Sequence, residues 1–422
     1  MRRWLATTGL VVAWIAVVIF AVIVRAFWFA APVVRRGDVK SIEAHLVRRL
    51  GNAAASQRFG AAALILIDRG RIVGEHRFGV ADPATGKPVD LDRTAFQLAS
   101  VSKAVTAWGV LRLVQERRIG LDEPVAPRMK RWRIDDRAFP TKVTLRHLLS
   151  HTAGIDDRAG YAGFPTGQPY GVRVAWEPGT AMAYSTVTYA VLQVLLEDIT
   201  QRPFDSYMRD AVLQPLGMRQ SSYELDAVKP RLAPAYDRKL VPQPHQRHAA
   251  PAGVALYATP RDLARFALAF TRDNAVLTRS TMQTMLQPQP ATGGTWALGH
   301  TLYASDEAGN VVTGHSGGTL PAWGAMLRVN PASGNAMVLV ASGGSGSLNR
   351  LPHDWVWWET GVMTEEGKRQ ALYDAARPAI AAIVIGSTIV LWLRRRAWTE
   401  RPRTSGRHGG VTPSFFCRKA KV

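Results

Sequence analysis

The chain has 422 residues, 47% hydrophobic and 20% charged, which suits one large globular domain or two and excludes a disordered chain. Its 53 lysines and arginines outnumber 32 acidic residues, but much of this excess flanks two uncharged runs near the chain ends. Basic residues in such positions are typical of the segments that flank membrane-spanning helices rather than of nucleic-acid-binding surfaces. No nucleic-acid partner is therefore predicted. The single cysteine, Cys417, excludes an intrachain disulfide and gives no support to a cysteine-ligated metal site.

The first uncharged run covers residues 4–24. It contains 21 residues, follows Arg2 and Arg3, and is long enough to cross a bilayer as a helix. A cleaved signal peptide is the alternative, but no convincing small-residue cleavage site follows the run. We therefore favour an uncleaved membrane anchor within residues 1–36.

The second uncharged run, residues 378–393, contains 16 residues and precedes three arginines. It predicts a second transmembrane helix within residues 371–396, with a buried terminal helix as the alternative. Two spans place both termini in the cytoplasm, because basic segments remain on that side. The domain between them, residues 37–370, is then periplasmic in a bacterial inner membrane, and the basic tail 397–422 is predicted to be disordered.

Between the two runs the pattern indicates an α+β fold. A helix is predicted at 39–50, and β-hairpins are predicted at 61–74 and 322–341, where apolar runs flank short glycine-containing turns. Residues 121–250 are rich in helix patterns and proline, with little strand. Strands at both ends with a helical insert between them favour one sheet that is closed by distant segments.

Two further helix starts are marked by threonine. Residues 143–149 are predicted to form a helix with Thr144 near its start. Thr259 is followed by Pro260, and Asp262 stands three positions after the threonine. This combination is typical of the start of a helix.

Residues 100–103 (Ser-Val-Ser-Lys) begin a segment whose apolar residues recur at steps of three and four, which predicts an amphipathic helix. Ser100 then lies at the helix N-terminus, with Lys103 one turn later on the same face. A desolvated lysine has a lowered pKa and can accept the serine's proton, so Ser100 is a candidate nucleophile. The pattern alone is weak, because Ser-x-x-Lys occurs by chance in many surface helices.

A tyrosine, Tyr184, follows a turn and precedes a helical run. At such a position a phenolate is able to reach a Ser/Lys pair and transfer protons. The alternative is an ordinary half-buried tyrosine.

Residues 314–318 (Gly-His-Ser-Gly-Gly) match the Gly-x-Ser-x-Gly elbow of α/β-hydrolases, which makes Ser316 a rival nucleophile. That fold requires a helix after the serine, followed by an acid and a histidine in that order. Here a strand pattern follows, no acid stands between Ser316 and His353, and His408 lies in the tail beyond the second uncharged run. We therefore disfavour this hypothesis.

His147 and His151 stand four residues apart, as zinc ligands on a helix can. No glutamate follows His147, and no third ligand is evident. We interpret them as a structural pair, and no metal or other cofactor is predicted.

Taken together, residues 100–103, 184–186 and 315–317 resemble, in order and spacing, the motifs of serine β-lactamases and penicillin-binding proteins. The nearest branch is similar to class C β-lactamases and their esterase and D-aminopeptidase relatives. Stretches at 148–154 and 257–263 support the resemblance, which covers roughly residues 40–360. It implies an antiparallel β-sheet flanked by helices, beside an all-helical subdomain, with the site between them.

The resemblance also implies roles. Ser100 is the expected nucleophile, Lys103 its activating neighbour, and Tyr184 the base that later acts as acid. The main-chain N–H groups of Ser100 and Gly318 are the expected oxyanion hole. The residues expected to contact substrate are Thr186, His315, Ser316 and Gly317.

Two departures from the family pattern concern substrate choice. Asparagine is usual where this chain has Thr186, and the best β-lactamases have lysine in place of His315. We therefore predict a membrane-anchored serine hydrolase acting on a small ester, an amide or a peptide, as an esterase, D-aminopeptidase or DD-peptidase does, and weak on β-lactams. The alternative is a non-catalytic sensor or interaction module, and no oligomeric state is predicted.

Overall fold

The computed structural model describes residues 12–21, 24, 34–155, 170–237, 239–319, 323–343 and 348–399. The chain forms two compact units. One comprises residues 29–371, and the other comprises 1–28 together with 372–422. The catalytic motifs predicted from the sequence all belong to the unit 29–371.

The strands of the described residues are β1 (Ala61–Asp68), β2 (Arg71–Asp82), β3 (Lys87–Pro88), β4 (Phe96–Gln97), β5 (Trp132–Asp135), β6 (Tyr170–Arg173), β7 (Ala235–Tyr236), β8 (Pro242–Gln243), β9 (Tyr257–Ala258), β10 (Thr301–Ser305), β11 (Val311–Thr319), β12 (Trp323–Asn330) and β13 (Asn335–Ser342). The α-helices are α1 (Val39–Ala55), α2 (Val101–Gln115), α3 (Leu145–Leu149), α4 (Val187–Thr200), α5 (Phe204–Met208), α6 (Leu225–Val228), α7 (Pro260–Ala269), α8 (Arg279–Leu286), α9 (Leu351–Thr360) and α10 (Glu365–Thr399).

A seven-stranded antiparallel sheet in the order β10-β11-β12-β13-β1-β2-β3 organises the larger unit. Strand β1 pairs with the distant β13, so that Leu64 lies opposite Leu339. Both predicted hairpins are present, as β1–β2 and β12–β13. The prediction of a sheet closed by distant segments is therefore confirmed.

Strand β1 is buried on both faces, which explains its unbroken apolar run. Its odd-numbered residues, from Ala61 to Ile67, pack in the core shared with α2 and α7. Its even-numbered residues, such as Leu64, pack in a second core with α1 and α9. The sheet thus has helices on both faces, as the α+β prediction requires.

Helix α2 lies inside the first core, and the amphipathic pattern predicted for it is wrong. Twelve of its fifteen residues are buried. Trp108 packs 5.1 Å from the rings of both Phe266 and Phe270, and on another side the Tyr207 hydroxyl donates to the Gly109 carbonyl oxygen at 2.9 Å. Other helices cover α2 on several sides, so that α2 has no solvent-exposed face. Its position in the core is therefore well defined.

Two predicted helix starts are confirmed by their capping bonds. Thr144 and His147 form a capping box at the start of α3. The Thr259 hydroxyl oxygen accepts the N–H of Asp262 at 3.1 Å at the start of α7. The predicted helix at 39–50 is also present, as α1, and extends to Ala55.

The segment between the two hairpins is not all-helical. It also contains the parallel pair β5–β6 and the short antiparallel pair β7–β8. In β5 the buried Trp132 and Ile134 alternate with the exposed Arg133 and Asp135. Four residues are too short a stretch for this alternation to be recognised in a sequence.

The two runs predicted to cross a membrane belong to the smaller unit. Residues 12–21 are helical, while much of the run 4–24 lies outside the described residues. Residues 378–393 lie within α10, a continuous helix of 35 residues. In the part of the chain that the structure describes, no helix is long and apolar enough to span a bilayer. The predicted disordered tail lies outside the described residues from 400 onward.

Candidate active site

Ser100 is the residue immediately before α2, and Leu98 and Ala99 separate it from strand β4. The preceding residue, Ala99, has φ +47°, a conformation that is uncommon for any residue except glycine. The Ser102 hydroxyl holds this bend, because it donates to the Ala99 carbonyl oxygen at 2.5 Å and accepts the N–H of Leu256 at 2.9 Å. The Ser100 hydroxyl makes no capping bond to its own helix, which leaves it available for chemistry.

Lys103 lies one helical turn after Ser100 and has a relative exposure of 0%. Its ammonium Nζ is 3.3 Å from Ser100 Oγ and 3.4 Å from Thr186 Oγ1. It also donates to the carbonyl oxygen of Gly253 at 2.8 Å. The ammonium is therefore fixed by a main-chain oxygen behind it and points at the serine hydroxyl in front of it.

Tyr184 faces the same ammonium from the segment that precedes α4. Its ring centroid is 5.0 Å from Lys103 Nζ, and the side chain is 45% exposed. The rings of His151 and Trp296 pack against it at 4.5 and 5.7 Å. The structure thus brings Ser100, Lys103 and Tyr184 together, although they come from different parts of the chain.

Strand β11 forms the other wall of this site. A Cβ atom on Gly317 would lie 2.3 Å from the carbonyl oxygen of Leu98 and 2.9 Å from the N–H nitrogen of Ser100, so only glycine fits. His315 lies on the same face of the strand, with its ring 6.3 Å from that of Tyr184. This close approach brings the main chain of β11 against the main chain of Ser100, and the oxyanion hole of Ser100 and Gly318 stays a prediction.

The side chain of Ser316 points away from the nucleophile. Its Oγ accepts a hydrogen bond from Arg328 Nη2 at 2.8 Å and lies 3.5 Å from the Tyr303 hydroxyl, on the opposite face of the sheet. Alternation along a strand explains this, because successive side chains point to opposite faces. Ser316 lies within a strand rather than at a strand-to-helix elbow, and its expected contact with substrate stays a prediction, although its side chain is on the opposite face.

His315 is buried and uncharged. Burial, followed by repulsion from the Lys103 ammonium, lowers the pKa of its imidazole to about 3. Its Nδ1 lies 2.6 Å from the Ser316 carbonyl oxygen, so this nitrogen carries the proton and Nε2 does not. No group among the described residues bonds to that Nε2. The imidazole is therefore a neutral group beside the Lys103 ammonium, with no positive charge of its own.

Buried histidines also predict that the protein loses stability in mild acid. Burial lowers the pKa of His300 to about 4 and those of His315 and His353 to about 3. As pH falls below the ordinary value of about 6.5, protons bind these imidazoles in the unfolded chain but not in the folded one. We expect the free energy of unfolding to drop by about 1 kcal/mol per histidine between pH 7 and 5.5. Urea unfolding at pH 7 and at pH 5.5 measures this change in the free energy of unfolding. The change should be smaller in His353→Phe. Equal free energies of unfolding at the two pH values would contradict the prediction.

Two residues that the sequence did not single out, Gly253 and Arg328, help to build the site, as does His151, which was singled out for another reason. Gly253 supplies the carbonyl oxygen that binds Lys103, and its loop of small residues gives no indication of that role. Arg328 is fully buried, stacks 3.7 Å from the Tyr303 ring centroid, and donates to the His315 carbonyl oxygen. An arginine in the middle of an apolar strand was the signal that could have found it. His151 was noticed, but as a histidine pair with His147, which instead caps α3.

Comparison with known proteins agrees with this geometry. The family model described as beta-lactamase matches residues 41–360, so the chain belongs to the beta-lactamase family. Penicillin-binding protein 4 of Amycolatopsis lactamdurans is 29% identical over 316 residues, which cover 68% of this chain and 81% of that protein. Esterase EstB of Burkholderia gladioli is 31% identical over 213 residues, which cover 44% of this chain and only 53% of the esterase.

The fold is also found among solved structures. The octameric penicillin-binding protein homologue from Pyrococcus abyssi superposes with a TM-score of 0.64 at 22% identity, over 76% of this chain and 77% of that one. At this identity the match concerns the fold alone. It agrees with a large antiparallel sheet flanked by helices.

Proposed function

We propose that this protein is a serine hydrolase that forms an acyl-enzyme on Ser100 and acts on small esters or amides. The observation that carries the proposal is the buried Lys103 ammonium, 3.3 Å from Ser100 Oγ, with the Tyr184 ring 5.0 Å from the same ammonium. A hydroxyl, a base and a cation in contact are the arrangement that nucleophilic catalysis needs. The family match and the similarity to an esterase and to a penicillin-binding protein support it.

The reaction follows from these positions. Ser100 Oγ attacks the substrate carbonyl carbon while Tyr184, acting as its phenolate beside the Lys103 ammonium, accepts the hydroxyl proton. The N–H groups of Ser100 and Gly318 stabilise the oxyanion, and Tyr184 then returns the proton to the departing alcohol or amine. A water molecule, deprotonated by the same residue, then attacks the carbonyl carbon of the Ser100 ester; the bond to Ser100 Oγ breaks, Tyr184 returns the proton to that oxygen, and the acid leaves.

A covalent probe tests the proposal against a non-catalytic module of the same fold. We expect intact-mass analysis after treatment with a fluorophosphonate to show one adduct, and peptide mapping to place it on Ser100. An unlabelled, folded protein that also fails to hydrolyse nitrophenyl esters would favour the sensor or interaction module.

Substrate preference gives a second test, because the site lacks a fixed cation on β11 facing the substrate. The neutral His315 offers no charge-assisted hydrogen bond to a substrate carboxylate, and Thr186 lacks an amide for an acylamino group. We expect kcat/KM for a chromogenic cephalosporin to be about tenfold to a few hundredfold below that for a short nitrophenyl ester. The double variant His315→Lys with Thr186→Asn should shift this ratio towards the cephalosporin. A wild-type protein equally active on both substrates would contradict the argument.

We further propose that the protein is anchored in a bacterial inner membrane with its catalytic domain in the periplasm. The two uncharged runs and the basic residues 394–396 support this. In the smaller unit, Phe20, Ile385 and Leu391 expose more than half of their surface, and Trp14 lies against Gly386. Apolar surface on helices in contact with each other suits a lipid environment.

Reporter fusions test the topology. A reporter active only in the periplasm should be active when fused after Glu366 and inactive when fused after Arg407. Equal behaviour of the two fusions would contradict a second span.

A further inference from the structure

His151 directly follows the last turn of α3, where the chain turns towards the active site. It is buried and has φ +59°, a left-handed conformation that costs a non-glycine residue free energy of the order of 1 kcal/mol. Such a conformation persists only where the surroundings hold it. The contacts of His151 show which groups stabilise this conformation and which segment His151 fixes in turn.

The main chain on both sides of Tyr184 is bonded to His151. The His151 carbonyl oxygen accepts the N–H of Ala183 at 2.9 Å. Its side-chain Nδ1 accepts the N–H of Ser185 at 3.2 Å and lies 3.1 Å from the Thr188 hydroxyl oxygen. One residue therefore fixes the backbone immediately before and immediately after the tyrosine.

The imidazole ring also limits where the phenol can lie. Its centroid is 4.5 Å from that of Tyr184, and Trp296 packs 5.1 Å from the imidazole and 5.7 Å from the phenol. Tyr184 is nevertheless 45% exposed. The phenol is thus restrained through its backbone and one side of its ring, while the remainder stays open to the site.

The hydrogen bonds of His151 also indicate which tautomer its imidazole adopts. Because Nδ1 accepts the Ser185 N–H, the proton of the neutral ring resides on Nε2. Burial, then the Lys103 ammonium and His315, hold the pKa of His151 well below its usual range, which preserves this form. A protonated ring would lose the Nδ1 acceptor and with it the bond to Ser185.

We propose that His151 is a positioning residue that fixes Tyr184 for proton transfer, through hydrogen bonds to Ala183 and Ser185 and through ring packing. This inference rests on the proposed function, in which Tyr184 is the base. A base misplaced by about 1 Å can reduce the rate by roughly a hundredfold. The contacts of His151 are with the backbone beside Tyr184 and with the ring of Tyr184, so it acts through the tyrosine.

Two substitutions separate the two contacts. His151→Asn retains a side-chain acceptor and tolerates a left-handed backbone, but it removes the ring. His151→Phe retains a ring of similar size and removes the acceptor. The matched control is His353→Phe, since His353 is also buried and neutral but lies on α9 and bonds to Thr364 on the far side of the sheet.

The measurement is a double-mutant cycle with Tyr184→Phe, using kcat and KM for 4-nitrophenyl butyrate. We expect His151→Phe and His151→Asn each to lower kcat about tenfold to a hundredfold with little change in KM. In the Tyr184→Phe background, neither should lower kcat further, because the group they position is gone. His353→Phe should leave kcat unchanged in both backgrounds.

The outcomes separate a failure of the positioning role of His151 from a failure of the proposed function, in which Tyr184 is the base. If Tyr184→Phe leaves kcat unchanged, the proposed role of the tyrosine fails first. If Tyr184→Phe is impaired but the His151 variants retain wild-type kcat, or lower kcat equally in both backgrounds, the positioning role is wrong. If His151→Phe does not fold, His151→Asn gives the same comparison.

Discussion

Replacing Ser100 with alanine is expected to abolish both ester hydrolysis and covalent labelling. Ser100 is the serine whose hydroxyl lies 3.3 Å from the buried Lys103 ammonium, and its own helix does not use that hydroxyl as a cap. Loss of a nucleophile removes about four to six orders of magnitude in kcat when the remaining groups act as a unit with it. Initial rates with a nitrophenyl ester, together with intact mass after a fluorophosphonate, measure the two effects.

Ser316→Ala is the control for this substitution. The Ser316 hydroxyl accepts from Arg328 Nη2 on the other face of the sheet, so its loss leaves a buried donor without that acceptor. The cost is about 1–3 kcal/mol of stability, with weakened activity but retained labelling. Labelling that survives in Ser100→Ala and disappears in Ser316→Ala would show that the nucleophile had been assigned to the wrong serine.

Local patterns predicted much of the fold. The hairpins β1–β2 and β12–β13 were predicted because apolar runs flank short turns, and the starts of α3 and α7 because threonine caps act within a few residues. The pair β5–β6 was missed because each strand has four residues and its partner lies far along the chain. The burial of α2 was missed for a related reason, since which faces of a helix are covered depends on elements that are distant in sequence.

In the candidate site too, some residues could be predicted from local motifs and others could not. Motif order brought Ser100, Lys103, Tyr184 and His315 into consideration together, and the structure places them around one ammonium and one strand. The groups that hold them are main-chain atoms and buried polar side chains, such as the carbonyl oxygen of Gly253. A carbonyl oxygen belongs to every residue, so no residue type marks it in a sequence. For Ser316 the motif indicated a position beside the site but not the direction of the side chain.

Gly317→Ala is expected to have the second largest effect on catalysis, although it adds a single methyl group. The added Cβ would lie 2.3 Å from the Leu98 carbonyl oxygen and 2.9 Å from the Ser100 nitrogen, both of which are main-chain atoms. Neither can rotate aside as a side chain can, so β11 must move away from the start of α2. That movement separates the N–H of Gly318 from the N–H of Ser100 and removes one oxyanion donor, which lowers kcat by about 100- to 1000-fold.

Gly51→Ala is the matched control for that substitution. Gly51 lies in α1, where an added Cβ meets nothing within 4 Å, and alanine there should stabilise the helix by about 0.5–1 kcal/mol and leave kcat unchanged. The acylation rate with a fluorophosphonate and kcat for a nitrophenyl ester should fall together in Gly317→Ala, while thermal unfolding shows that the protein is folded. A folded Gly317→Ala protein with wild-type kcat would mean that the approach of β11 to Ser100 does not build the oxyanion hole.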